Sequence, residues 1–219
     1  VCSSDLAQEY SGWIIVLSAI GILYGSFATL MQTDLKYMNA YSSISHCGFV
    51  LLGIGMLTPA SINGAVMQMV SHGVMTALFF AVIGMIYERT HTRTIAEMGG
   101  LMKVMPFITT VLFMVGLCSL GLPGMSGFVA EMAVFVGAWE RTGLLPRMAT
   151  IAAAASIVVT AVYILRAIGK VAMGPLKEGM SGLPDARWYE KAAAILMLLA
   201  ILAIGLLPGW LMNLIDPAG

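Results

Sequence analysis

Six stretches of about 20 residues, almost free of charge, divide this chain, and at about 1.5 Å per residue each is long enough to cross the hydrocarbon core of a bilayer. They lie at roughly 12–31, 37–57, 65–87, 106–139, 148–173 and 192–212. The fourth is too long for one straight span and is interrupted inside. Soluble domains carry about 25% charged residues; here 10% of the residues are charged and 59% are hydrophobic. A soluble fold of this size would lack the polar residues to cover its surface. The stretches are also apolar all round, whereas a soluble bundle needs one polar face per helix. The sequence therefore predicts an all-α fold, a polytopic membrane helix bundle in contact with lipid.

Charge sets the orientation. Alternating six spans puts Lys36, Arg89, Arg93, Lys103, Arg166, Lys170, Lys177, Arg187 and Lys191 on one side, and only Arg141 and Arg147 on the other. The positive-inside rule makes the first side cytoplasmic and places both ends of the chain outside. Eleven basic residues balance eleven acidic ones, so no nucleic acid or anionic substrate is indicated as a partner. Cys2, Cys47 and Cys118 lack metal-ligand or CxxC spacing, and the latter two read as small buried hydrophobes within apolar runs. The chain starts at Val1, and residues 1–11 have neither the basic start nor the apolar core of a signal peptide. They read as a non-native-looking or truncated segment of a fragment that lacks its N-terminal part. Residues 174–191 form the longest polar loop, on the cytoplasmic side, and 192–219 a final span with an outer tail.

The informative residues are the few polar ones inside the spans. His46 lies ten residues past Lys36, about 15 Å into its helix. His72 enters from the opposite face to a similar depth, and Glu131 lies eight residues before Trp139, about 12 Å from the outer surface. Three helices thus bring three titratable groups near the middle of a core about 30 Å thick. A charge there costs at least about 2.5 kcal/mol, so such a group faces protein or water and has a use. A lone intramembrane histidine also serves as a neutral hydrogen-bonding link between helices, and that reading stays open for His46 and His72. Glu131, the one carboxylate inside a span, is harder to assign to packing. Imidazole titrates near neutrality, so the set has the chemistry to pass protons along side chains and water.

The fourth span carries independent information. Leu120-Gly121-Leu122-Pro123-Gly124-Met125-Ser126-Gly127 places a proline among glycines in an apolar run. Proline removes a backbone donor and disfavours helix in the residue before it. Two half-helices are expected, 106–119 and 126–139, with Glu131 in the second turn of the outer one. Backbone groups freed inside a membrane are tolerated only against protein or a water-filled cavity, and such breaks mark ion sites in transporters. A simple proline kink is the plainer alternative. The eighteen methionines are dispersed and read as packing, not metal ligands. Trp13, Trp139, Trp188 and Trp210 fall near span ends, as an aromatic belt would. With no GxSxG, phosphate-binding glycine loop, CxxCH or paired histidine ligands, no redox, metal or nucleotide site is expected on this chain.

Several segments, in order, resemble one family. Residues 32–36 (QTDLK), 40–49 (AYSSISHCGF), 68–73 (QMVSHG), 87–93 (YERTHTR), 98–101 (MGGL) and the break followed by Phe128-Val129-Ala130-Glu131 look like the antiporter-like subunits of respiratory complex I, the proton-translocating NADH:quinone oxidoreductase. Glutamate where sister subunits generally carry lysine points to the chain M branch, equivalent to mitochondrial subunit four. It speaks, less firmly, against the multisubunit cation/proton antiporters.

The resemblance implies helices nine to fourteen of a fourteen-helix fold: a five-helix repeat with a broken helix (residues 12–173) plus a terminal helix. It implies that Glu131 is the outlet-side proton-channel residue, that His46 and His72 belong to the proton path, and that Gly121, Pro123 and Gly124 form the helix break. Lys36, Ser45 and Ser71 are accessory candidates. The family's first repeat, with its own channel glutamate and lysines, is absent from these residues, so the chain alone is not expected to pump. Flavin, iron–sulfur clusters and quinone are expected on other subunits, with sister antiporter-like subunits as membrane partners and the bacterial inner membrane as location. Two other readings stand beside it: a subunit of a cation/proton antiporter or membrane-bound hydrogenase, and a structural membrane anchor.

Overall fold

A computed structural model describes residues 2–215 as eight α-helices joined by short turns and by longer loops at 91–105 and 173–187. They are α1 (Cys2–Leu30), α2 (Leu35–Met56), α3 (Pro59–Thr90), α4 (Pro106–Ser119), α5 (Ser126–Glu140), α6 (Leu144–Ala172), α7 (Trp188–Leu206) and α8 (Pro208–Ile215). Four of them are individually long and apolar enough to cross a membrane, over Asp5–Leu30, Pro59–Thr90, Leu144–Ala172 and Trp188–Leu206. With 22 residues, α2 has the length, but Asn39, three serines and His46 make it more polar. At 14 and 15 residues, α4 and α5 are each shorter than the about 20 residues of a full span, and they run in series across the break. The all-α bundle and the interrupted fourth span are as expected from the sequence.

Three expectations are corrected. The turn expected at 58–64 is mostly helix, because Thr58 and Ser61 form a reciprocal cap and Pro59 occupies the first turn. The third helix therefore starts six residues before the expected 65. The sixth span begins at Trp188, shortening the loop expected at 174–191, and is interrupted at Leu207, with Pro208 opening α8. Cys47, expected buried, is exposed, since it lies about 100° around α2 from the inward-facing His46; Cys118 is buried. The expectation that both chain ends lie outside falls partly on residues 1 and 216–219, which are outside the described residues.

Close helix approach at small residues fixes the bundle. A Cβ on Gly64 of α3 would lie 2.6 Å from the Val134 nitrogen of α5, so only glycine lets these backbones touch. Gly137 of α5 presses likewise against Ser61, and the Thr58 hydroxyl donates to the Gly137 carbonyl at 2.9 Å. At the other end, the Asp34 carboxylate caps α2 by accepting from Lys36 N (2.7 Å) and Tyr37 N (3.3 Å), and pairs with Arg93 at 3.4 Å. The loop before α7 is strapped down there too. Arg89 binds Glu190 at 2.6 Å and the Pro184 carbonyl at 2.9 Å, while the Asp185 carboxylate accepts from Phe107 N and Ile108 N, the free donors of the α4 N-terminus. The broken helix is thus held by α3 on one half and by this loop on the other.

Candidate functional site

Between α4 and α5 the backbone leaves helical geometry and its polar groups find local partners. Leu120 N bonds the Gly116 carbonyl, Gly121 N the Cys118 carbonyl and Leu122 N the Leu117 carbonyl, at 2.9, 3.0 and 3.1 Å. Gly121 (φ 74°) and Gly124 (φ 94°) take left-handed conformations that a side chain would strain. From α7, Gly205 packs against the carbonyl carbon of Met125, so the terminal helix closes the break from outside. The sulfur of Cys118 lies 3.5 Å from the Ser126 hydroxyl, which also accepts from the Ser71 hydroxyl at 2.7 Å. The N-terminus of α5 is therefore buried among short polar side chains.

One turn further along α5, Glu131 points back into this break. Its Oε2 is so close to Gly121 that a Cβ there would sit 2.6 Å away. Across the interface, Glu131 Oε1 is 3.7 Å from His46 Nδ1, with both side chains buried. His46 is held at both ring nitrogens, by Gln68 Nε2 at Nδ1 and by the Ser119 hydroxyl at Nε2, each at 3.2 Å. In this arrangement the Gln68 amide donates to Nδ1, so neutral His46 carries its proton on Nε2 and offers it to Ser119. The His72 ring lies 5.1 Å from the His46 ring, tilted by 32°, and shares a hydrogen bond with Thr76 at 3.1 Å. Four elements thus converge: His46 from α2, Gln68 and His72 from α3, Ser119 from α4 and Glu131 from α5.

Not all the candidates gather here. Glu131, His46, His72 and Gly121 lie together, while Pro123 and Gly124 complete the turn that holds them. Ser71 ties α3 to the start of α5, and Ser45 meets Ser26 of α1 at 3.0 Å, both hydroxyls bridging helices. Lys36 is exposed in the first turn of α2, about 15 Å from His46 along the helix. Gln68 and Ser119 were missed. Gln68 had a readable signal, since it is the polar residue four before His72 and so on the same helix face. Ser119 had none, because its role depends on a partner 73 residues away. Among the described residues no three His, Cys, Asp or Glu side chains form a metal-ligand set.

The arrangement is suited to moving a proton. Imidazole and carboxyl sit just beyond hydrogen-bond distance, buried, with hydroxyl and amide groups that can both donate and accept around them. A half-turn of the Gln68 amide would replace its donor with Oε1 at Nδ1, and that oxygen has no other partner. The His46 ring could then carry a proton on Nδ1, the nitrogen facing Glu131.

A family model described as NADH:quinone oxidoreductase/Mrp antiporter, TM, matches residues 2–158. The NADH-quinone oxidoreductase subunit M of Rickettsia felis is 39% identical over 212 residues, 96% of this chain and 42% of that protein. Among solved structures, respiratory complex I from Thermus thermophilus with bound NADH contains a chain that superposes with a TM-score of 0.86 at 30% identity, over 93% of this chain and 42% of its own length. The Mrp complex from Dietzia sp. DQ12-45-1b gives a TM-score of 0.82 at 20% identity, over 96% of this chain and 48% of that one, a likeness of fold alone. The chain spans 42% of the length of the Rickettsia relative.

Proposed function

Because this chain belongs to the NADH:quinone oxidoreductase/Mrp antiporter transmembrane family, we propose that it forms one proton-channel half and the terminal helix of a chain M-type subunit of a respiratory NADH:quinone oxidoreductase. The subunit couples quinone reduction elsewhere in the complex to outward proton movement. The observation that carries this reading is the buried Glu131 carboxyl, 3.7 Å from His46 at a helix break. A carboxyl at this depth is costly unless used, and a broken helix is where membrane transporters place their ion sites. Glu131 takes up and releases the proton, His46 exchanges it, and Gln68 and Ser119 fix which imidazole nitrogen carries it. His72 extends the line toward the open face of α3, where Gly73 has no neighbour that a Cβ would meet.

The rest of the reading follows from charge and chemistry. The side holding nine of the eleven basic residues faces the cytoplasm of a bacterial cell membrane. Flavin, iron–sulfur clusters and quinone belong to other subunits, and sister antiporter-like subunits flank this one in the membrane. The similarity to subunit M and the carboxylate at the break favour this complex over a cation/proton antiporter, which shares the fold. The test is Glu131→Gln in the full-length subunit within the assembled complex. Proton pumping per electron is expected to fall at least about tenfold, the scale on which a proton-transfer group acts. Unchanged pumping with intact assembly would remove Glu131 from the path and leave the membrane-anchor reading. Loss of assembly in His72→Ala with coupling kept in the residual complex would make His72 a packing residue.

A further inference from the structure

At the basic end of the bundle, a cavity of about 290 Å³ opens between the end of α1, the turn at Ile95–Glu97 and α6. Thr29, Gln32 and Thr33 line one wall, Arg166 and Lys170 another. Tyr163, which also lines it, lies seven residues before Lys170, about 10 Å deeper along α6. Tyr163 is buried, and its hydroxyl has no hydrogen-bond partner. It neighbours Ser42 and Thr160 and lies within electrostatic reach of Glu131. The Ser42 and Thr160 hydroxyls donate to carbonyls of their own helices, which leaves their oxygens as the nearby acceptors for the Tyr163 hydroxyl.

Among the described residues, the buried side-chain polar atoms without a partner are Asn39 Nδ2, Gln68 Oε1 and the Tyr163 hydroxyl. Asn39, Ser42 and His46 recur at three- and four-residue steps, so they share one face of α2 leading from the cavity end to His46. Gln68 stands at the inner end of that line, against His46. Unpartnered polar groups inside a membrane protein are met by water where the site is polar and roomy enough. A phospholipid phosphate would be drawn to Arg166 and Lys170 at the mouth. It could not reach the groups deeper in the line, which therefore point to water.

We propose that this cavity is a proton inlet from the basic, cytoplasmic side to the Glu131 centre, with Tyr163 and water as the relay. The inlet rests on the reading of Glu131 as a proton carrier. It adds to the outlet that the family resemblance implies, so that this half of the subunit has access from both sides. A proton leaving hydronium in the cavity passes along water to Tyr163. The tyrosine releases its own hydroxyl proton to the next water as it receives one, and the chain ends on the Glu131 carboxylate. Tyr163 is unchanged over the cycle.

The test uses the full-length subunit in its assembled complex, in inside-out vesicles, with its cysteines, including Cys2, Cys47 and Cys118, replaced by serine. Met38→Cys lines the cavity, whereas Val171→Cys on α6 is buried away from it. A membrane-impermeant methanethiosulfonate is expected to modify Met38→Cys from the cytoplasmic face, leave Val171→Cys untouched, and lower pumping several-fold once attached. Tyr163→Phe is expected to lower pumping several-fold with assembly intact. The inlet is overturned if Met38→Cys stays unmodified, reacts only from the opposite face, or reacts without loss of pumping, and equally if Tyr163→Phe pumps normally. If Glu131→Gln stops pumping while Met38→Cys is silent, the inlet alone falls. Normal pumping in Glu131→Gln would take both readings down together.

Discussion

Two helices in this protein are interrupted at a proline, and the interruptions share little else. Between α4 and α5, Met125 is buried and Gly124 packs against α7, two glycines take left-handed conformations, and a carboxyl and an imidazole lie on the inner side of the turn, while Leu122 and Pro123 reach the surface. Between α7 and α8, Leu207 (φ −127°, ψ 58°) makes a single-residue step, Leu206 and Leu207 are exposed on the outer surface, and residues 203–215 contain no titratable side chain. Proline therefore does not make a site by itself. The inner break does so because its turn brings Gly121 directly against the Glu131 carboxyl, while Ser71, Cys118 and Ser126 gather at the buried start of α5. The outer break only ends a helix.

This contrast can be broken by substitution at each interruption. The largest effect is expected for Gly121→Val, which places a β-branched residue at φ 74° and a Cβ against Glu131. Strain of this kind costs about 1–3 kcal/mol. Here it also displaces the carboxyl, so loss of pumping should accompany a lower thermal midpoint of the purified complex. Pumping equal to wild type would show that Glu131 does not depend on the break for its position. Next comes Gly205→Leu in α7, which pushes a side chain into the Met125 backbone and costs about 1–3 kcal/mol as overpacking. Thermal unfolding should fall, and proton leak should rise as the break loses its cover. The smallest effect is expected for Pro208→Ala, within about 0.5 kcal/mol and without change in coupling. A coupling defect there would mean the outer interruption is functional and would erase the distinction.

How much of this was readable beforehand varies by region. Half-helices at 106–119 and 126–139 were legible because Pro123 and its glycines are local signals, and the observed helices match them within one residue. The early start of α3 at Pro59 was missed because Ser61, Asn63 and Gly64 look like turn residues. In place, Ser61 completes a cap and Gly64 admits the α5 backbone. The interruption at Leu207 lies inside a run whose apolar character continues through it, so hydropathy gives no sign of it. The exposure of Cys47 is not legible in the sequence, because helices that are apolar on most sides give no cue to which face is inward.

By itself the sequence determined the solvent, the all-helical class, the place of the inner break and the one carboxylate that had to be explained. Those depend on composition, run length and local backbone chemistry, all of which are properties of neighbouring residues. Only the tertiary structure decided that Glu131 faces His46, that Gln68 and Ser119 hold that ring, and that Tyr163 of α6 lines a cavity with the ends of α1 and α2. Each of these is a contact between different helices. In a membrane, where every helix is apolar on all sides, close packing of small residues chooses the facing pairs.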